Sequence, residues 1–112
     1  MDNSTLNYQD IIEEILNEYI DYLGEDEQVE IELICDSNKG HYLITEIGWS
    51  NGYRLYGTLI HIDIIDDKLW IQQDGTEEGI TEELVKKGIS KDRIVLAYKS
   101  LQERKITEFA VS

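Results

Sequence analysis

"YRLYGTLIHIDIIDDKLWIQQD", residues 53–74, holds two alternating runs that meet at Asp66-Asp67. Side chains on a strand point alternately to opposite faces. A two-residue turn at Asp66-Asp67 therefore sets Ile64 against Leu69, Ile62 against Ile71 and His61 against Gln72. One face of this hairpin is apolar, with Ile60, Ile62, Ile64, Leu69 and Ile71. The other is mixed, with Leu59, His61, Asp63, Trp70 and Gln72. A pair of strands patterned this way predicts an antiparallel hairpin with one face directed at a core.

Two further strands precede it. "HYLITEIGW" (41–49) joins the hairpin through Asn51-Gly52, a strong two-residue turn signal. "QVEIELICD" (28–36) joins through the turn cluster "SNKG" (37–40). Gly57 is a candidate bulge. Counting back from Asn51-Gly52 without any bulge sets Trp49 against Arg54, Ile44 against Leu59, Tyr42 against His61 and Leu43 against Ile60. In that register the mixed face also carries Tyr42 and Ile44, so both faces of the sheet call for cover. Two helices, one per face, or a bound partner would supply it.

Helical periods flank the four strands. Tyr8, Ile11, Ile12, Ile15, Leu16, Tyr19, Ile20 and Leu23 form an i, i+3/i+4 stripe within residues 5–23, with Asn3, Ser4 or Thr5 as N-terminal caps and Gly24 as the stop. "TEEGITEELVKK" (76–87) places Ile80, Leu84 and Val85 on one side, with acids first and lysines last, as the helix dipole favours. Asp74, Gly75 and Thr76 form its junction with the preceding strand: Asp74 or Thr76 caps and Gly75 turns. "RIVLAYK" (93–99) is a short buried run, and the apolar tail ending Ile106, Phe109, Ala110 and Val111 is expected to dock. The fold class is α+β: an N-terminal helix, a four-stranded antiparallel meander, a second helix and a short fifth strand, in one domain over residues 1–112.

Composition narrows the function. Twenty-four acids against ten bases give a net charge of −14. Nucleic-acid binding needs clustered Lys and Arg, and the densest basic stretch, residues 99–105, has only Lys99, Arg104 and Lys105. Direct nucleic-acid binding is not expected, whereas a basic protein partner suits this surface. No run approaches a membrane span. The polar start "MDNSTLNYQD" is unlike a secretory signal, and the single Cys35 fits a reducing, cytoplasmic setting.

Chemistry-bearing residues are few. Cys35, His41 and His61 form no recognisable nucleophile motif. His61 and Asp63 lie two apart on one strand face, and with Asp74 they are the candidate metal ligands; a histidine hydrogen-bonded on a polar sheet face is the plainer alternative. No phosphate-binding glycine loop is present, and no cofactor is expected. Tyr42, His61, Trp70, Gln72 and Gln73 are the candidate partner contacts on the mixed face.

The stretch "IGWSNGYRLYGTLIHIDIIDDKLWIQQDGTEEGITEELVKKGISKDRIVLAY" (47–98) resembles the XisI family, the fdxN-element excision controlling factor proteins of cyanobacteria and relatives. The run His61 to Ile64, the run Lys68 to Glu77 and "ELVKKGISKDRIVLAY" (83–98) carry the resemblance, which continues to "TEFAVS" (107–112) and, more loosely, through the first helix. It implies an accessory role in programmed DNA excision, beside a site-specific recombinase and a companion XisH protein of nuclease-like fold. It supplies no catalytic residues. The expected function is thus a non-enzymatic controlling factor that binds an XisH-like partner, and a homodimer through the mixed face is also expected. The alternatives are a metal-dependent enzyme using His61, Asp63 and Asp74, and an acidic DNA mimic that inhibits a nuclease.

Overall fold

Both predicted two-residue turns form with positive φ at each central residue, 50° and 82° at Asn51-Gly52 and 50° and 64° at Asp66-Asp67. This is the turn geometry whose twist matches that of paired strands. A computed structural model describes residues 7–112. Its elements are α1 (Tyr8–Leu23), β1 (Val29–Asp36), β2 (His41–Ser50), β3 (Tyr53–Ile65), β4 (Lys68–Asp74), α2 (Ile80–Lys86), a 3-10 turn (Lys91–Arg93), β5 (Ile94–Leu96) and α3 (Leu101–Arg104). The sheet runs in chain order, β1-β2-β3-β4-β5. The first four strands are antiparallel, while β5 pairs parallel to β4. A parallel neighbour needs a crossover, and α2 provides it.

The register departs from the unbulged count at one residue. Ser50 to Thr45 pair with Tyr53 to Thr58 as counted, but Ile44 then pairs with Ile60. Leu59 is the extra residue, not Gly57. A one-residue shift sends every following side chain to the other face. Tyr42 and Ile44 therefore face the core, at 1% and 0% exposure, instead of the mixed face. Tyr42 is accordingly removed from the candidate partner contacts. A second shift falls between His61 and Ile62, where His61 pairs with Gln73 and Ile62 with Ile71, so Gln72 is the extra residue and does not oppose His61.

The corrected register gives the sheet one dry face. Tyr42, Ile44, Ile60, Ile62, Leu69 and Ile71 pack against Ile12, Ile15 and Leu16 of α1 and Ile80 and Leu84 of α2. Both helices thus lie on the same side, in place of one per face. Among the described residues, the other side is covered only near β4 and β5. There the tail docks as expected: Ala110 N–H donates to the Ile94 carbonyl at 2.9 Å, and the Arg104 guanidinium lies 5.9 Å from the Trp70 ring centre. Ile106, by contrast, is 87% exposed.

Helix ends explain the remaining differences. Asn7 caps α1 by accepting from the Asp10 N–H at 3.1 Å, whereas the expected caps Asn3, Ser4 and Thr5 lie outside the described residues. The second helix begins at Ile80 and not Thr76, because Gly79 sits at φ 89°, outside helical geometry.

The bulge at Leu59 makes a direct prediction. Tyr42→Ala should lose about 3 kcal/mol of stability, as large aromatic truncations in a core do. Leu43→Ala, on the open face, should lose less than about 1.5 kcal/mol. Urea unfolding of the two variants checks this, and equal losses would contradict the register.

Candidate functional site

The bulge also determines what meets Asp63. With Leu59 set aside, His41 at the start of β2 pairs directly with Asp63 on β3. His61, two residues before Asp63, lies on the same face. The His41 Nδ1–H donates to Asp63 Oδ1 at 2.6 Å, and the His61 Nε2–H donates to the same oxygen at 2.8 Å. The Gln72 amide donates to Oδ2 at 3.3 Å. An ionised carboxylate only accepts, so both ring nitrogens that face it carry protons. The imidazole rings stand edge to face with centres 6.3 Å apart.

Asp63 is the only charged residue buried among the described residues, at 7% exposure, and it lies on the open face and not in the apolar core. Burial pushes its pKa up, but the hydrogen bonds from His41 and His61 outweigh burial and hold the carboxyl below its ordinary value. The bulged Gln72 contributes by holding the second oxygen. Such a group satisfies the rule that buried charge is retained only when paired and hydrogen-bonded.

Asp74 does not join this cluster. It pairs with Ile60 on the helix side of the sheet. One of its oxygens accepts from the Thr76 N–H and hydroxyl, and the other accepts from the Ile80 N–H at 2.8 Å. The Thr76 hydroxyl in turn accepts from the Gly79 N–H. Asp74 and Thr76 thus tie β4 to the first turn of α2. Gly75 packs so close to Leu59 that a Cβ there would lie 2.9 Å from the Leu59 carbonyl oxygen. The candidate triad His61, Asp63 and Asp74 is replaced by His41, His61 and Asp63. His41 was missed because the unbulged count sets it against Ile62.

The rest of the open face is apolar at its far end. Ile47 and Trp49 on β2 pair with Tyr56 and Arg54 on β3, whereas Ile34 on β1 shares the face but pairs with Leu43, at the histidine end. Trp49 is 53% and Tyr56 76% exposed. The Arg54 guanidinium sits 5.4 Å from the Trp49 ring centre and 5.9 Å from that of Tyr56. Among the expected contacts, Trp70 is half-buried beneath Arg104, Gln72 is engaged by Asp63 and Gln73 is exposed. Aromatics alternating with polar residues on both sides of Asn51-Gly52 were the available signal for the far-end patch. Cys35 pairs with Tyr42 and so lies on the helix side, away from both histidines.

An antiparallel meander extended by one parallel strand, with both long helices on one face, defines the class of fold. The chain belongs to the XisI protein family, which it matches over residues 1–111. A crystal structure of a XisI-like protein from Anabaena variabilis superposes with a TM-score of 0.87 at 35% sequence identity, covering 94% of this chain and 96% of that one. The fdxN element excision controlling factor XisI from Anabaena variabilis superposes with a TM-score of 0.82 at 30% identity, with the same coverages. No curated protein matches the chain in sequence.

Asp63 has a folded pKa below its unfolded value near 3.9. Its bonds therefore stabilise the fold above about pH 4, and that contribution fades as acidification protonates the carboxylate. Asp63→Asn should be destabilised by about 2 kcal/mol at pH 6, and its difference from wild type should narrow below pH 4 in urea titrations. Asp74→Ala should cost about 1–2 kcal/mol, the usual cost of a lost helix cap, and hydrogen exchange should show the first turn of α2 opening more readily.

Proposed function

We propose that this chain is a non-enzymatic controlling factor that acts by binding a protein partner, an XisH-like protein of nuclease-like fold. Family membership and the likeness to an excision controlling factor support the general role. The observation that carries partner binding is the sheet face left open among the described residues, where Ile47, Trp49 and Tyr56 stand exposed around Arg54. Exposed aromatics grouped with an arginine are the side chains that dominate binding energy at protein interfaces. Beside them on the same face, Glu30 opposite Ile47 and Glu32 opposite Thr45 on β1 supply negative charge, which suits a basic surface on the partner. Occupation of a basic DNA-binding groove, in the manner of a nucleic-acid mimic, is one form this contact takes. Without the partner, the same face serves a second copy of the chain.

Co-expression with an XisH-like protein, followed by size-exclusion chromatography, tests the reading. The two should co-elute at low salt, and the complex should weaken as salt rises. Trp49→Ala or Tyr56→Ala should weaken the complex about tenfold or more with little change in the urea midpoint. Failure to co-elute at every salt concentration would count against partner binding. Loss of binding on adding competitor DNA would favour the mimic form. Sedimentation of the chain alone should give twice its 13.0 kDa; a monomer at high concentration would remove the second-copy contact.

A further inference from the structure

We propose that His41, His61 and Asp63 form a binding site for one divalent transition-metal ion on the open face of the sheet. Each residue offers one ligand atom, His41 Nδ1, His61 Nε2 and an oxygen of Asp63, and these atoms lie within 4.8 Å of one another. Two imidazoles and one carboxylate are the donor set of sites that keep further positions open for water. Imidazole nitrogen selects for zinc, nickel, copper or iron over magnesium or calcium.

The supporting groups are in place. Adjacent strands of a rigid sheet fix all three side chains, and the Cα pairing of His41 with Asp63 is part of the ladder itself. The Gln72 amide holds the second carboxylate oxygen, the kind of outer contact that orients a metal-ligating carboxylate. The site is reachable, since the His41 and His61 side chains are 46% and 30% exposed while that of Asp63 is 10%. The surrounding charge of −14 favours a dication.

Without an ion, two N–H groups share the Asp63 oxygen at 2.6 and 2.8 Å. Tetrahedral ligation with bonds near 2.1 Å separates ligand atoms by roughly 3.4 Å. Binding therefore opens each N···O pair by about 0.6–0.8 Å, a small rotation of exposed imidazoles. The proton on each nitrogen that faces Asp63 moves to the ring's other nitrogen, His41 Nε2 or His61 Nδ1, or leaves to solvent, and the freed lone pair binds the ion. One cation then replaces two hydrogen bonds to the same carboxylate.

Isothermal titration of metal-free protein with Zn²⁺, and visible absorption with Co²⁺, test the site. The expected result is one equivalent bound at micromolar or tighter affinity, with Co²⁺ bands of four- or five-coordinate intensity. His41→Ala and His61→Ala should each weaken binding at least tenfold. His61→Gln, which keeps a donor to Asp63 but removes the ring nitrogen, should do the same while retaining the fold, so it decides the matter if His61→Ala does not fold. Absence of saturable binding below about 100 μM Zn²⁺ would overturn the site. Binding that persists unchanged in His41→Ala and His61→Gln would also overturn it, and would assign the ion to the acidic surface.

Discussion

One extra residue in β3 sets the character of both faces of this sheet. Leu59 stands outside the β2–β3 ladder, so Ile44 meets Ile60 and the pairing beyond it is offset by one. Every side chain of β2 before Thr45 owes its side to that offset. Tyr42 and Ile44 enter the core, while His41 and Leu43 turn to the open face. The same residue is fixed from the neighbouring strand's end, because the Gly75 N–H donates to the Leu59 carbonyl at 2.7 Å. A bulge normally leaves backbone groups unpaired. Here the chain leaving β4 satisfies one of them, and the junction to α2 begins at that contact.

Consequently the packing of the core and the polar cluster are not independent features. The register that buries Tyr42 against the helices also brings His41 to Asp63. A buried carboxylate in the middle of a sheet would be costly if unpaired. Three donors, from β2, β3 and the bulged residue of β4, surround it. The two bulges therefore act together: the first delivers a histidine, and the second releases Gln72 from strict alternation so that its amide reaches Oδ2.

The elements themselves were legible in the amino-acid sequence. The alternation of residues 53–74, the turns at Asn51-Gly52 and Asp66-Asp67, and the i, i+3/i+4 stripe of α1 all appear where periodicity and turn chemistry locate them. The XisI resemblance, too, is a property of the residues from Ile47 to Tyr98. Less legible was anything that depends on register. Leu59 is an ordinary strand residue, and nothing in its type marks it as the extra one; Gly57 carried the conventional signal. His61 and Asp63 were visible as a pair because they share one strand. His41 joins them only through long-range pairing, which spacing along the chain does not reveal. The start of α2 was placed early for a related reason: Thr76 to Glu78 suit a first helical turn by type, but the hydrogen bonds of Asp74 and Thr76 hold them as a loop.

The docked tail has a further consequence for the two borders of the sheet. On one side, the bridge from Ala110 to Val95 occupies the outer edge of β5. On the other, β1 has no strand beyond it among the described residues. Exposed edges invite uncontrolled strand addition, and charged side chains deter it. Glu30, Glu32 and Asp36 lie along β1, so a second copy approaching edge to edge would bring like charges together. The molecule is thereby directed away from polymerising through its borders.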